Sequence, residues 1–410
     1  MQPYPAISFD NTELAFEYKS DRDLRRAHFL FSLMARPWLV KLGVRLAPLA
    51  LRWRLPVKGL IRQTIFRQFV GGEALEKTTG VVDLLSRYHV KVILDYGVEG
   101  REGEENFEKA CDVFIRVLEY SATQPNIPFI SFKMTGFARF GLLEKMHAMI
   151  QGAPGSLMKR YLNTIQQLDP PEREEWHRVR HRVMRLCDLA ARVGRGVLID
   201  AEETWIQAPI DALTLLMMDA YNRRRAVVYN TTQHYATDRQ QFLRESHAAA
   251  RERKFILGAK LVRGAYMEKE RKRAQQMGYP SPIHADKEST DRDFDESLKY
   301  CIDHLDEIAL IVASHNERSN LYATELIREK GLPLDHPHLH FSQLYGMSDN
   351  ITFNLAHAGC SVSKYLPFGQ ISDVIPYLMR RAQENTSVEG QTGRELSLIK
   401  KELARRKSLR

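Results

Sequence analysis

The chain reads as short apolar runs alternating with longer segments of helical periodicity. The runs occupy 90–96, 129–134, 197–201, 226–230, 257–262, 308–313, 339–344 and 362–366. They are rich in Val, Ile and Leu and do not alternate apolar with polar. That is the pattern of strands buried on both faces of a parallel sheet. Between them, stretches such as 107–120 space Ala110, Val113, Phe114, Val117 and Leu118 three or four residues apart, giving one apolar helix face. The stretches 212–221, 242–250, 294–305, 321–327 and 371–382 do the same. Eight strand–helix repeats predict an α/β fold, a (βα)8 TIM-type barrel, which typically needs ~250 residues.

The chain has 410 residues, so segments remain outside that repeat. The gap between the second and third runs, 138–195, reads as a helical insertion, with Pro170-Pro171 ahead of a charged helix over 172–193. Residues 1–75 form an N-terminal helical arm, 76–392 the catalytic barrel and 393–410 a C-terminal helix and tail, helical over 395–406. Within the arm, 37–69 alternates apolar groups such as Trp38-Leu39-Val40 with Lys41, Arg45, Arg52, Arg54, Lys58, Arg62 and Arg67. Such a basic amphipathic stretch either packs on the main domain or lies on anionic lipid, and the two are compatible.

Charge sharpens this only partly. The net charge of +9 is concentrated in 22–67 and 394–410. No nucleic-acid motif accompanies it, so the basic excess fits an anionic membrane surface or, equally, solvated termini. Cys111, Cys187, Cys301 and Cys360 are scattered, without a Cys-x-x-Cys, as in a reducing compartment. No apolar run reaches 18 residues, and the first 21 residues lack the apolar core of a signal peptide. They also lack the character of a transit peptide. The expected location is cytoplasmic, peripheral on the inner face of the cytoplasmic membrane, in preference to a mature mitochondrial protein.

Polar residues gather where the predicted strands end, the catalytic face of such barrels. They are Lys133; Asp200-Ala201-Glu202-Glu203; Asn230-Thr231-Thr232-Gln233; Lys260 and Arg263-Gly264-Ala265-Tyr266; Ser314-His315-Asn316; Gln343-Leu344-Tyr345; and Tyr365. A helix is expected after Gly369, capped by Ser372, with Asp373 favoured in its first turn by the macrodipole and Pro376 tolerated there. Tyr377, Arg381 and Glu384 then share one face, with Arg380 beside them. Two guanidinium forks suit one carboxylate. An isolated Arg-Arg pair is a solvated surface feature, but cations at the rim facing Asp200 point to a small anionic substrate. Tyr266, Tyr365, Tyr377 and Leu344 supply apolar walls. There is no G-x-G-x-x-G after a strand, which argues against a Rossmann nucleotide site.

The stretches Lys260-Leu-Val-Arg-Gly-Ala-Tyr266, Ser314-His-Asn316, Tyr365-Leu-Pro-Phe-Gly369 and Tyr377-Leu-Met-Arg-Arg-Ala-Gln-Glu-Asn385 resemble proline dehydrogenase, in its monofunctional, eukaryote-like branch, over roughly 60–400. The resemblance implies FAD across the barrel mouth and oxidation of L-proline to Δ1-pyrroline-5-carboxylate by hydride transfer to FAD. It implies a proline carboxylate held by Arg380, Arg381 and Lys133, with Asp200 bonded to Tyr365 or an arginine. Tyr266, Leu344, Tyr365 and Tyr377 would cage the ring. Gln233, Lys260, Arg263, Gly264, Ala265, His315 and Asn316 would contact the flavin, and Glu384 would lock the helix by pairing with Arg380. The family more often carries Arg at the Lys260 position, and an ammonium cannot make the same two-pronged contact. Electrons would pass to a quinone.

Three other readings remain. The resemblance implies that a Tyr at the Tyr365 position crowds the ring carbon that would bear the hydroxyl of 4-hydroxyproline, which favours proline over that substrate. A metal-dependent barrel hydrolase would rest on His336-Pro-His338-Leu-His340, at the wrong end of a strand. A non-enzymatic membrane-surface binder leaves the strand-end residues unexplained. No metal is expected.

Overall fold

Eight parallel strands close a barrel in chain order: β1 Lys91–Tyr96, β2 Phe129–Lys133, β3 Gly196–Asp200, β4 Val228–Gln233, β5 Leu257–Val262, β6 Ile308–Ala313, β7 Leu339–Leu344 and β8 Val362–Phe368. This computed structural model describes residues 7–52, 58–97, 102–387 and 391–410. Closure is made by β8 on β1, in register from Lys91 opposite Ser363 to Tyr96 opposite Phe368. The expected (βα)8 architecture is therefore the observed one.

Period-two alternation sorts each strand's side chains. Ile93, Leu198, Tyr229, Ala309, Ile311 and Tyr365 fill the barrel interior as one buried cluster. Their neighbours Val92, Leu94, Val197, Val228, Leu310 and Val312 point outward, into a larger apolar layer under the helices. Both faces are thus buried, which is why the strands read as continuous apolar runs.

Several expected boundaries move, among them the end of β8, which runs on to Phe368 past the expected 366. The fourth strand runs to Gln233, because Thr231, Thr232 and Gln233 continue the ladder beside Lys260, Leu261 and Val262. Their polarity marks the mouth, and their β-branched threonines suit a strand. The helix after β8 is Ile371–Ser387, so Ser372 lies inside it and does not cap it. Pro376 lies past the first turn, and its missing N–H removes a bond that Ser372 would have accepted.

The insertion after β2 forms three helices, Phe140–Gln151, Leu157–Gln167 and Pro170–Val193. The last is capped by Asp169, which accepts from the Glu172 N–H at 2.9 Å, with proline at its first positions. Trp176 anchors it by donating to the Tyr161 hydroxyl at 3.0 Å, both side chains fully buried.

The arm comprises Thr12–Phe16, Asp21–Met34, Pro37–Arg52 and a short helical stretch ending at Phe69. Phe16, Leu24, Phe31, Phe66 and Phe69 pack with Ile371, Val374, Tyr377 and Leu378, and with Leu398 and Ile399 of the closing helix Gln391–Ser408. This second apolar cluster seats the helix Ile371–Ser387 from behind. The outer side of Pro37–Arg52 differs: Trp38, Leu42 and Leu46, one helical turn apart, are 63%, 47% and 50% exposed. No described helix is long and apolar enough to cross a membrane.

Candidate active site

Side chains of four strands meet on one carboxylate. Ser131, Asp200, Lys260 and Tyr365 all project into the barrel from β2, β3, β5 and β8. Asp200 Oδ1 accepts from Lys260 Nζ and from Ser131 Oγ, each at 2.7 Å, and its Oδ2 accepts from the Tyr365 hydroxyl at 2.8 Å. Burial raises the proton affinity of Asp200. The nearby Lys260 and Lys133 charges and the hydrogen bonds from Lys260 and Ser131 outweigh it, so the carboxyl titrates below its usual range. Burial, reinforced by Asp200, pushes the Tyr365 phenol well above its usual range, so it remains the donor. Lys260 Nζ also stands 5.0 Å from the Tyr365 ring centre, a cation–π distance. Of the two partners expected for Asp200, the structure supplies Tyr365; the cation is Lys260 and not an arginine.

Lys133 ends β2 directly opposite Asp200 in the ladder. The helix Ile371–Ser387 brings Arg380 within 5.9 Å of the Tyr266 ring centre and Arg381 within 5.1 Å of the Tyr377 ring centre. Arg381 and Tyr377 are buried. Leu344 ends β7 in register with Tyr365. The Glu384 side chain lies outside the described residues, so its expected pairing with Arg380 does too.

The expected cofactor contacts are held by specific partners. Gln233 bridges two loops, donating to the Glu202 carbonyl at 2.7 Å and accepting from the Ala265 N–H at 3.2 Å. Gly264, between Arg263 and Ala265, has φ +137°, and a Cβ there would lie 2.5 Å from the Tyr235 ring, so only glycine fits. Arg263 is tied down by Asp291 at 2.6 Å, Ser314 at 2.8 Å and Ser319 at 2.9 Å. Asn316 caps the helix Glu317–Glu329 through the Ser319 N–H at 3.1 Å. His315 Nε2 lies 3.4 Å from the Leu344 N–H, which donates to it, so Nδ1 carries the proton and donates to Ser348 Oγ at 2.9 Å. Burial, then the charges of Lys364, Arg381 and Arg263, push the imidazole down to about 3 and keep it neutral.

Two contributors, Ser131 and Trp205, escape a reading by strand ends alone, and two strand-end groups given no role there, Glu202 and Thr231, gain one. Ser131 is two residues before Lys133, on the same strand face, and alternation is the signal that finds it. Glu202 is 3% exposed and accepts from the Thr135 N–H at 3.0 Å and hydroxyl at 2.5 Å; burial pushes it up to about 7. Thr231 and Trp205 are buried, and the Thr231 hydroxyl and the Trp205 indole N–H find no hydrogen-bond partner among the described residues. Glu202, Trp205, Thr231 and Gln233 line a cavity of about 1640 Å³ that leads from the mouth outward between Thr204–Tyr221 and Arg239–Arg253. Of the expected flavin contacts, only Gln233 borders it. Its unsatisfied buried groups fit the hydrogen-bonding edge of an organic cofactor beside Gln233, and the other expected cofactor contacts lie outside it.

The histidines of 336–340 do not converge. His340 faces the interior, with Nε2 2.6 Å from Ser363 Oγ, while His338 Nδ1 lies 2.6 Å from the Leu305 carbonyl. Among the described residues no His, Cys, Asp and Glu cluster is placed to hold a metal.

Comparison with known proteins matches this architecture. A family model described as proline dehydrogenase covers residues 79–394. Carbapenem antibiotics biosynthesis protein CarD of Pectobacterium carotovorum subsp. carotovorum is 33% identical over 340 residues, 82% of this chain and 83% of the relative. Hydroxyproline dehydrogenase of Xenopus laevis is 32% identical over 428 residues, 99% of this chain and 91% of the relative. Proline dehydrogenase 1, mitochondrial, of Dictyostelium discoideum is 30% identical over 382 residues, 86% and 66% of the two chains. Among solved structures, proline utilization A of Bdellovibrio bacteriovorus superposes with a TM-score of 0.70 at 19% identity, over 93% of this chain and 37% of that longer one. The chain belongs to the proline dehydrogenase family.

Proposed function

We propose that this protein is an FAD-dependent dehydrogenase that oxidises L-proline to Δ1-pyrroline-5-carboxylate and passes the electrons to a quinone. The observation that carries the reading is the constellation around Asp200. Lys260, Ser131 and Tyr365 hold one carboxylate across the mouth, and Lys133 faces it. Bound FAD would supply the two-electron acceptor for the hydride that leaves the ring carbon next to nitrogen.

In this reading Arg380, Arg381 and Lys133 bind the substrate carboxylate, and Gln233, Arg263, Gly264, Ala265, His315 and Asn316 border the cofactor. A carboxylate gripped by planar guanidinium groups lets the ring adopt few orientations, which lowers the entropic part of the barrier. Tyr365, with its hydroxyl committed to Asp200, is a fixed wall for the ring, joined by Tyr266, Tyr377 and Leu344. Asp200 orients this wall and does not take the substrate's ammonium proton, because its cation partners lower its proton affinity. The exposed Trp38, Leu42 and Leu46, with Lys41 and Arg45 also exposed between them, suit contact with an anionic lipid surface, where a quinone is found.

The 32% identity to a relative named hydroxyproline dehydrogenase supports one second reading, 4-hydroxyproline as substrate. Anaerobic titration of the FAD-loaded protein separates the two. L-Proline should bleach the flavin absorbance with at least tenfold higher kcat/KM than 4-hydroxyproline; the reverse order supports the second reading, and bleaching by neither overturns both.

A further inference from the structure

Residues 347–349, at the junction of β7 and the helix Asp349–His357, are gripped from three directions by charged and polar groups. From β8, Lys364 Nζ donates to the Met347 carbonyl at 2.5 Å and pairs with Asp349 Oδ1 at 2.9 Å. From the N-terminal arm, the Tyr18 hydroxyl and Lys19 Nζ each reach Asp349 Oδ2 at 2.8 Å. From the closing helix Gln391–Ser408, Glu395 accepts the Ser348 N–H. Lys364, Asp349, Ser348 and Glu395 are all at most 5% exposed.

Ser348 is the hinge of this arrangement. Its φ of +50° is left-handed, an unfavourable conformation for a residue with a Cβ, and it persists only where its surroundings hold it. Its N–H is held by Glu395 and its hydroxyl accepts from His315. His315 in turn accepts the Leu344 N–H. A continuous chain of hydrogen bonds therefore runs from Glu395, through Ser348 and His315, to Leu344. Glu395, Tyr18 and Lys19 all lie outside the segment 79–394 that matches the family.

We infer that Glu395 is a positioning residue, by which the C-terminal helix fixes His315 and Leu344 at the candidate site. The inference rests on the reading of His315 as a cofactor contact and Leu344 as a substrate wall. A buried carboxylate aimed at one backbone N–H, in a pocket that already balances Asp349 against Lys19 and Lys364, is costly unless that contact is needed.

The test uses the full-length, FAD-loaded protein with Glu395→Gln, Glu395→Leu and Ser348→Ala. Glu395→Gln keeps an oxygen acceptor for the Ser348 N–H and should retain kcat/KM for L-proline within threefold. Glu395→Leu should raise KM at least tenfold with a smaller change in kcat, shift the visible flavin bands, and speed hydrogen exchange over 343–349 at least tenfold. A folded Glu395→Leu protein with wild-type KM, flavin bands and exchange overturns the inference. If Glu395→Leu does not fold, Ser348→Ala decides, since it removes the hydroxyl that accepts from His315 and keeps the N–H that Glu395 holds: shifted flavin bands and a changed His315 tautomer in 15N spectra support the chain, and unchanged spectra overturn it. Wild-type protein whose flavin L-proline does not bleach refutes the functional reading instead, and leaves the exchange measurement to judge Glu395.

Discussion

The Tyr365 hydroxyl donates to Asp200 across the barrel mouth at 2.8 Å, joining β8 to β3. Lys260 and Ser131 keep the same carboxylate satisfied from the other oxygen. Tyr365→Phe deletes one donor and frees the ring from its anchor. A hydrogen bond to a charged group contributes about 1.5–3 kcal/mol, so kcat/KM for L-proline is expected to fall about 10- to 150-fold. Flavin content should not change. Steady-state kinetics beside the visible spectrum of the same preparation checks both, and an unaltered kcat/KM removes Tyr365 from the site.

Arg381 is buried beside Tyr377, and Arg380 faces Tyr266. Replacing either by Met keeps most of the stem and removes the fork. The loss of a charge-assisted contact in a dry site costs on the order of 2–4 kcal/mol. KM for L-proline should rise strongly in Arg380→Met and Arg381→Met while FAD remains bound. Retention of the wild-type KM would sink the carboxylate clamp.

Glu202 gives a pH signature of stability. Burial raises its carboxyl from the ordinary glutamate value of 4.5 to about 7 in the folded protein. The folded state thus binds the proton more tightly than the unfolded chain does. Its favourable contribution is complete below about 4.5 and is lost as pH rises towards 7, a few kcal/mol at most. Glu202→Gln should flatten this part of the profile. Urea unfolding midpoints of the two proteins, compared between pH 4.5 and 7.5, test it; parallel curves would show that Glu202 titrates normally.

Gly346 follows β7 with φ +82°, and a Cβ there would lie 2.0 Å from the Gln68 carbonyl oxygen. Gln68 also donates to the Gly346 carbonyl at 2.7 Å, so this contact docks the arm on the barrel. Gly346→Ala combines backbone strain with a clash against main chain and is expected to cost about 2 kcal/mol or more. Thermal denaturation should detect a fall of several degrees. Gly278→Ala, also left-handed but facing open space, serves as the comparison and should cost less.

The outer face of Pro37–Arg52 predicts a separable function. Changing Trp38, Leu42 and Leu46 together to Ser removes exposed apolar area and leaves the buried cluster behind the helix intact. Binding to anionic liposomes, and turnover with a lipid-embedded quinone, should drop at least tenfold, while turnover with a soluble dye stays within twofold. Equal losses in both assays would tie these residues to folding.

The eight strands are legible in the sequence because both of their faces are buried, which writes apolar runs of strand length. The β4 boundary is not, because Thr231-Thr232-Gln233 carry the polarity of a loop while keeping strand hydrogen bonds. Lys133, Asp200 and Tyr365 stand out as polar groups at strand ends. Ser131 does not stand out by itself inside an apolar run; only its place two residues before Lys133, on the same strand face, points to it. The expectation that Ser372 caps its helix fails because the helix begins one residue earlier, at Ile371.

Local pattern alone thus specifies the repeating strand–helix order, the barrel and the side chains gathered at its mouth, because periodicity and strand polarity are properties of neighbouring residues. Which of those side chains pair is settled by tertiary packing. Lys260 meets Asp200 because β3 and β5 both point inward across a closed barrel, although 60 residues separate them. Glu395 reaches Ser348 because the closing helix packs with the arm behind the helix Ile371–Ser387. Such contacts depend on where distant elements come to rest when apolar surface is buried, and no local pattern encodes that.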